Sequence, residues 1–230
     1  MNKNVYIFKC TGTIDLCQGI EIYNKVRLLL QITCNKYSFV FRKSTNKTWS
    51  RSGAVKNMER NIKNYLSLED FKKSNLATMA IYDVPAGSQS WDDIKRGNGF
   101  YIDSDSNEKA FYVYIVLPCS LSNDEVLELW SQFTSLHNTK YMVYFKMDSE
   151  KHVEITMLGI PVLIGTKTKE QCYSLDELKI VYKLHDLRVY EISDLSDVFP
   201  MCIATKEFSV NELSYTSKIN ISHSTHLYSK

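Results

Sequence analysis

Residues 110–136 read Ala110-Phe-Tyr-Val-Tyr-Ile-Val-Leu117, then Pro118-Cys-Ser-Leu121, then Ser122-Asn-Asp-Glu125-Val-Leu-Glu-Leu-Trp130-Ser-Gln-Phe133-Thr-Ser-Leu136. The first eight residues are apolar or aromatic, end at a proline and fall far short of the ~20 a membrane-spanning helix needs, so they predict a buried strand. Ser122 and Glu125 then form a capping box, each side chain answering an orphan N–H of the other's backbone. Behind it Val126, Leu129, Trp130, Phe133 and Leu136 recur at helical spacing, which predicts an amphipathic helix over 123–136 with Trp130 in the core. A buried strand followed by a capped helix, without regular βαβ alternation elsewhere, argues for an α+β fold: a mostly antiparallel sheet with several amphipathic helices.

Further strands are expected at Val5–Lys9, Tyr37–Phe41, Leu76–Tyr82 and Phe100–Ile102, and a hairpin at Tyr141–Met147 with Val153–Leu158. The run Ile160–Gly165 and the stretch Arg188–Ile192 read as two more strands. Ile20, Tyr23, Val26 and Leu30 predict a helix over about Leu16–Ile32; Val55, Met58, Ile62 and Tyr65 predict one over Ala54–Leu66. Ser67 with Asp70 reads as a fresh helix start, and Ser174 with Glu177 opens a helix through about Leu184. Arg42–Lys47 and Asp83–Gly99 are expected as loops, and the polar tail from Ser214 to Lys230 is expected to fray. The 230 residues are read as a single domain; sub-lobes 1–117 and 122–213 sharing one sheet, or two small subdomains joined near Leu117–Ser122, both fit the pattern.

Hydrophobic residues make up 44% and charged residues 23%, with net charge +2, while eight glycines and four prolines exclude collagen-like and low-complexity chains. The N-terminus reads as a strand rather than a signal peptide, and no membrane association is expected. Six cysteines, none in a Cys-x-x-Cys pair, are read as reduced cytosolic thiols that mostly fill the core, and the chain is expected in the cytoplasm. The sequons at Asn46 and Asn220 then carry no modification.

No catalytic or metal-binding motif is complete in the chain. Gly97-Asn98-Gly99 lacks a third glycine and is read as a turn; no P-loop occurs. Asp103-Ser-Asp105-Ser-Asn107-Glu108 opens like a calcium loop but has Glu108 where the turn glycine belongs, so it is read as a solvated acidic hairpin. His152-Val-Glu154 is followed by no Pro-Cys-x-x-Cys, and His223 and His226 lack a third ligand. No catalytic residue, metal site or cofactor is assigned, and the chain is read as a non-enzyme; a site assembled from residues distant in sequence stays open.

Charge is distributed unevenly. Residues 1–75 hold 14 Lys/Arg against 5 Asp/Glu, residues 76–137 hold 3 against 9, and the remainder 11 against 12. Trp91, Asp92, Asp93, Asp103, Asp105 and Glu108 are therefore read as a partner-binding surface, with Trp91 as an exposed aromatic anchor and the carboxylates steering a basic protein. The basic stretch Lys36–Lys63, with Arg42, Lys43, Lys47, Trp49, Arg51, Lys56 and Arg60, offers the alternative of nucleic-acid binding.

The order of features resembles that of immunity proteins from bacterial polymorphic toxin systems. The resemblance is carried by the short N-terminal strand and helix, Trp49–Gly53 opening a helix, Ala80-Ile-Tyr-Asp83 with Trp91 and Gly97/Gly99 before a strand, and Gly159–Thr168. It implies a cytosolic α+β protein that neutralises one cognate toxin by stoichiometric binding. The near-neutral charge leaves the toxin's class open.

Overall fold

The computed structural model describes residues 2–43, 48–67, 74–84, 98–105, 109–148, 173–190, 193–195 and 198–230. Ten strands hydrogen-bond in the order β3-β2-β4-β5-β6-β1-β7-β8-β10-β9. They are β1 (Asn2–Thr11), β2 (Lys36–Lys43), β3 (Thr48–Ala54), β4 (Ser74–Tyr82), β5 (Gly99–Asp105), β6 (Ala110–Leu117), β7 (Asn138–Asp148), β8 (Met201–Thr205), β9 (Ser217–Ser222) and β10 (Thr225–Ser229). Four helices accompany them among the described residues: α1 (Leu16–Leu30), α2 (Met58–Leu66), α3 (Asn123–Leu136) and α4 (Leu175–Val189). The fold is α+β and mostly antiparallel sheet. Among the described residues no helix is long and apolar enough to cross a membrane.

The chain divides into two compact units, one of residues 9–116 and 120–139, the other of residues 1–8, 117–119 and 140–230. In the first, cross-strand partners share a face of the sheet. Register therefore lines up Arg51, Phe39, Met79, Ile102 and Val113 on one face, with Gly53, Tyr37, Ile81, Phe100 and Ile115 beside them. Helix α1 lies on that face: Tyr23 meets Phe100 with ring centroids 5.7 Å apart, and a Cβ on Gly19 would stand 2.9 Å from Met79 Sδ. A glycine there lets the helix backbone approach the sheet. Helix α1 starts at a capping box that the sequence reading overlooked, Asp15 with Gln18. Helix α3 has the expected bounds, its Ser122–Glu125 box is formed, and Trp130 is buried. The Ser122 N–H and hydroxyl hold the Glu125 carboxyl below the usual carboxylate range. At its C-cap, His137 packs edge-on against Phe111, and burial holds the imidazole pKa below 6.5 against a smaller opposing pull from Glu21.

Asn35 ties the start of β2 to the end of β4. Its side-chain amide donates to Val84 O at 2.7 Å and accepts from Val84 N at 3.1 Å, while its own N–H donates to Tyr82 O at 3.1 Å. This continues the β2–β4 ladder beyond the last strand pair, and the Val55 N–H donates to Asn35 O at 2.9 Å.

In the second unit, Tyr6 stacks on Tyr144, whose hydroxyl donates to Asn4 Oδ1 at 2.9 Å, and Asn4 in turn donates to Leu117 O. The tail expected to fray instead forms β9 and β10. Strand β10 pairs with β8 from Thr225↔Thr205 to Ser229↔Met201 and buries Leu227 and Tyr228. Glu212 Oε1 accepts from Lys218 Nζ at 2.7 Å and from the Tyr228 hydroxyl at 3.2 Å, which ties the hairpin to the turn before it.

Other expectations are corrected. Ser67 is the C-cap of α2, its hydroxyl donating to Asn64 O at 2.7 Å; the helix expected to start there lies outside the described residues. Arg42 and Lys43 belong to β2 rather than to a loop. Trp49–Gly53 is part of β3 and precedes a turn of 3-10 helix at Val55–Asn57, so it opens no helix. Arg188 and Val189 form the last turn of α4 instead of a strand. Val153–Leu158, Ile160–Gly165 and Gly159–Thr168 lie outside the described residues. The five described cysteines are free thiols; Cys10 and Cys202 are buried and Cys17 and Cys119 exposed, so core filling accounts for fewer than expected. Burial pushes the Cys10 thiol up to about 12 and Cys202 to about 11, which leaves both unreactive at neutral pH.

Candidate functional site

Strand β3 is the last strand at one end of the sheet, and its alternation is unusual. Trp49, Arg51 and Gly53 share the α1 face, and Ser50 and Ser52 point the other way. The small residues are polar, so only one face of β3 carries bulk. On that face Trp49 stacks on Phe41 across the pair, ring centroids 4.3 Å apart and planes 23° apart. The Arg51 guanidinium carbon lies 4.9 Å from the Trp49 ring centroid and 5.8 Å from that of Tyr65 on α2, both within cation–π range. Its Nη1 donates to Ser50 O at 2.9 Å.

Tyr65 is held by α2's attachment to the sheet. Its hydroxyl is 3.1 Å from the Tyr37 hydroxyl, which also accepts from Asn61 Nδ2 at 2.7 Å. Gly53 makes room for this: a Cβ there would stand 3.1 Å from the Tyr37 hydroxyl and 3.2 Å from its ring. Burial first, and the Tyr37 hydroxyl second, push the Tyr65 phenol up to about 12, so it puts no negative charge beside Arg51 at neutral pH.

Lys56, Arg60 and Lys63 follow one another at helical spacings of four and three and are exposed, on the side of the helical segment away from its sheet-facing Met58, Ile62 and Tyr65. Lys36 and Arg42 on β2 are exposed too, on the opposite face of the sheet with Ser50 and Ser52. Among the described residues, none of these five or Arg51 stands within ion-pair distance of a carboxylate. Glu59 is the one acidic residue of α2. A cation immobilised on aromatic rings, with further exposed cations on the helical segment that follows, makes a surface suited to an anionic polymer.

The acidic surface expected from the sequence is placed only in part. Asp103 and Asp105 lie on β5, the arm of a hairpin that returns at Ala110 opposite Asp105, with Lys109 in the left-handed conformation at its turn. Asp103 is half-buried on the sheet face opposite α1, between Thr78 and Tyr112 in register, rather than freely solvated. That face carries four buried tyrosines, Tyr82, Tyr101, Tyr112 and Tyr114, with Lys9 Nζ 5.6 Å from the Tyr112 ring centroid. Trp91, Asp92, Asp93 and Glu108 lie outside the described residues. Of the residues in the basic stretch read from the sequence, the structure brings Arg51 onto Trp49, while Lys56 and Arg60 are exposed on the helical segment that follows. Sequence reasoning missed Tyr65, Phe41 and Lys63 as members; Tyr65 was read as core, and its role as a cation platform depends on the unseen strand β3.

Among the described residues, no group of His, Cys, Asp and Glu could hold a metal ion. Compared with protein families, with curated proteins and with solved structures, the chain matches none.

Proposed function

We propose that this chain works by binding, and that the corner of β2, β3 and α2 is a nucleic-acid interface. The observation that supports this most is Arg51, seated between Trp49 and Tyr65 with no carboxylate partner among the described residues, on a sheet edge followed by a helical segment that exposes Lys56, Arg60 and Lys63. An arginine held on aromatic rings loses little conformational freedom when a phosphate arrives, because its rotamer is already set. Arg51 and the three exposed cations of the following helical segment would neutralise about four phosphates of a polymer long enough to reach them all, giving a slope of log affinity against log salt of roughly −3 to −4. Titration of mixed-sequence DNA or RNA at a series of salt concentrations measures it. A slope in that range supports the reading, and undetectable binding at about 50 mM salt removes it.

A second reading is an immunity-type inhibitor of a cognate toxin. It is favoured by the β5–β6 hairpin, one arm of which carries Asp103 and Asp105. In that reading the hairpin and Trp91 grip a basic protein in the cytoplasm. Its test is protection: cells making a toxin domain encoded beside this chain should survive when the chain is co-expressed, and death with no complex on mixing ends the idea.

A further inference from the structure

We propose that the corner takes the sugar–phosphate backbone and leaves the bases unread, so that it accepts nucleic acid whatever its sequence or strandedness. The inference rests on the nucleic-acid reading above and specifies its ligand. Recognition by base stacking needs an aromatic face open to the incoming base. Trp49 offers none. Phe41 covers one face at a centroid distance of 4.3 Å, and a ring that close leaves no room on the same side for a guanidinium 4.9 Å away. Arg51 therefore covers the opposite face. Tyr65 meets the same guanidinium at 5.8 Å and has its hydroxyl engaged by Tyr37 at 3.1 Å.

Each ring thus has a face on the cation. A guanidinium has five N–H donors in a planar fork, and one of Arg51's is used on Ser50 O. The remaining donors match the oxygens of a phosphate, which arginine can grip with two parallel hydrogen bonds. Lys56, Arg60 and Lys63 add point charges with no directional demand on base edges.

The test compares three probes of equal length with the intact chain at low salt: a mixed-sequence single strand, the corresponding duplex, and an abasic strand in which every nucleotide lacks its base. Affinities for the single strand and the abasic strand are expected to agree within about threefold, since the phosphate count is unchanged. The duplex should bind at least as tightly as the single strand, because its charge density is higher. A loss of about tenfold or more on removing the bases, the size a stacking contribution would have, overturns the inference while leaving the nucleic-acid reading standing. Failure of all three probes to bind overturns both.

Discussion

Gly99→Ala is expected to destabilise the protein by about 3 kcal/mol, lowering the melting temperature by roughly 6–12 °C. A Cβ at Gly99 would stand 2.5 Å from Ile81 O, 2.8 Å from Tyr82 Cα and 3.0 Å from Tyr82 Cβ. Two of those three neighbours are backbone atoms of the adjoining strand, so no rotamer change relieves the clash and β4 must move away from β5. That movement would disturb a pair running from Tyr82↔Gly99 to Thr78↔Asp103 and the buried Phe100 behind it. Gly12 is the instructive contrast. It has φ +107 and nothing within 4 Å of an added Cβ, so Gly12→Ala should cost only backbone strain, about 1–2 kcal/mol. Thermal melts of the two variants side by side check the order; equal shifts would mean that the β4–β5 contact is looser than described.

Arg51→Glu is expected to weaken nucleic-acid binding by roughly tenfold to a hundredfold while leaving the fold intact. Arg51 is exposed, and its contacts are the two rings and a carbonyl of its own strand, so stability depends little on it. Binding should depend on it heavily. Reversal removes the preorganised cation and sets a carboxylate among the remaining ones, which repels phosphate. The salt slope should also fall in magnitude by about 1, as one phosphate contact disappears.

Much of this fold is legible in the sequence, and what escapes notice has a common cause. The eight-residue run at Ala110–Leu117 and the capping boxes at Ser122 and Ser174 signal through burial and caps, which are properties of the residues themselves, and all three appear at the expected places. Strand β3 was hidden because Ser50, Ser52 and Gly53 are poor strand formers; β2 supplies its ladder, and tertiary pairing overrides propensity. Strands β9 and β10 were hidden in the same way. Their apolar residues, Ile219 and Ile221 on one and Leu227 on the other, alternate over too few positions to stand out from a polar tail; β8 holds β10, and β10 holds β9. The corner followed from β3. Basic residues were visible in the chain between Lys36 and Lys63, but only a strand at Thr48–Ala54 turns Trp49 and Arg51 to one side and brings Tyr65 onto the guanidinium.

The most direct measurement of the corner as an interface is the affinity of three proteins for one mixed-sequence nucleic acid at low salt: the natural chain, Arg51→Glu, and Lys146→Glu, which reverses an exposed cation on β7. Both variants change net charge by the same amount, so a difference between them reports location. The account predicts that Lys146→Glu stays within about threefold of the natural chain while Arg51→Glu falls by tenfold or more. Equal losses for the two variants, or a loss confined to Lys146→Glu, would contradict it.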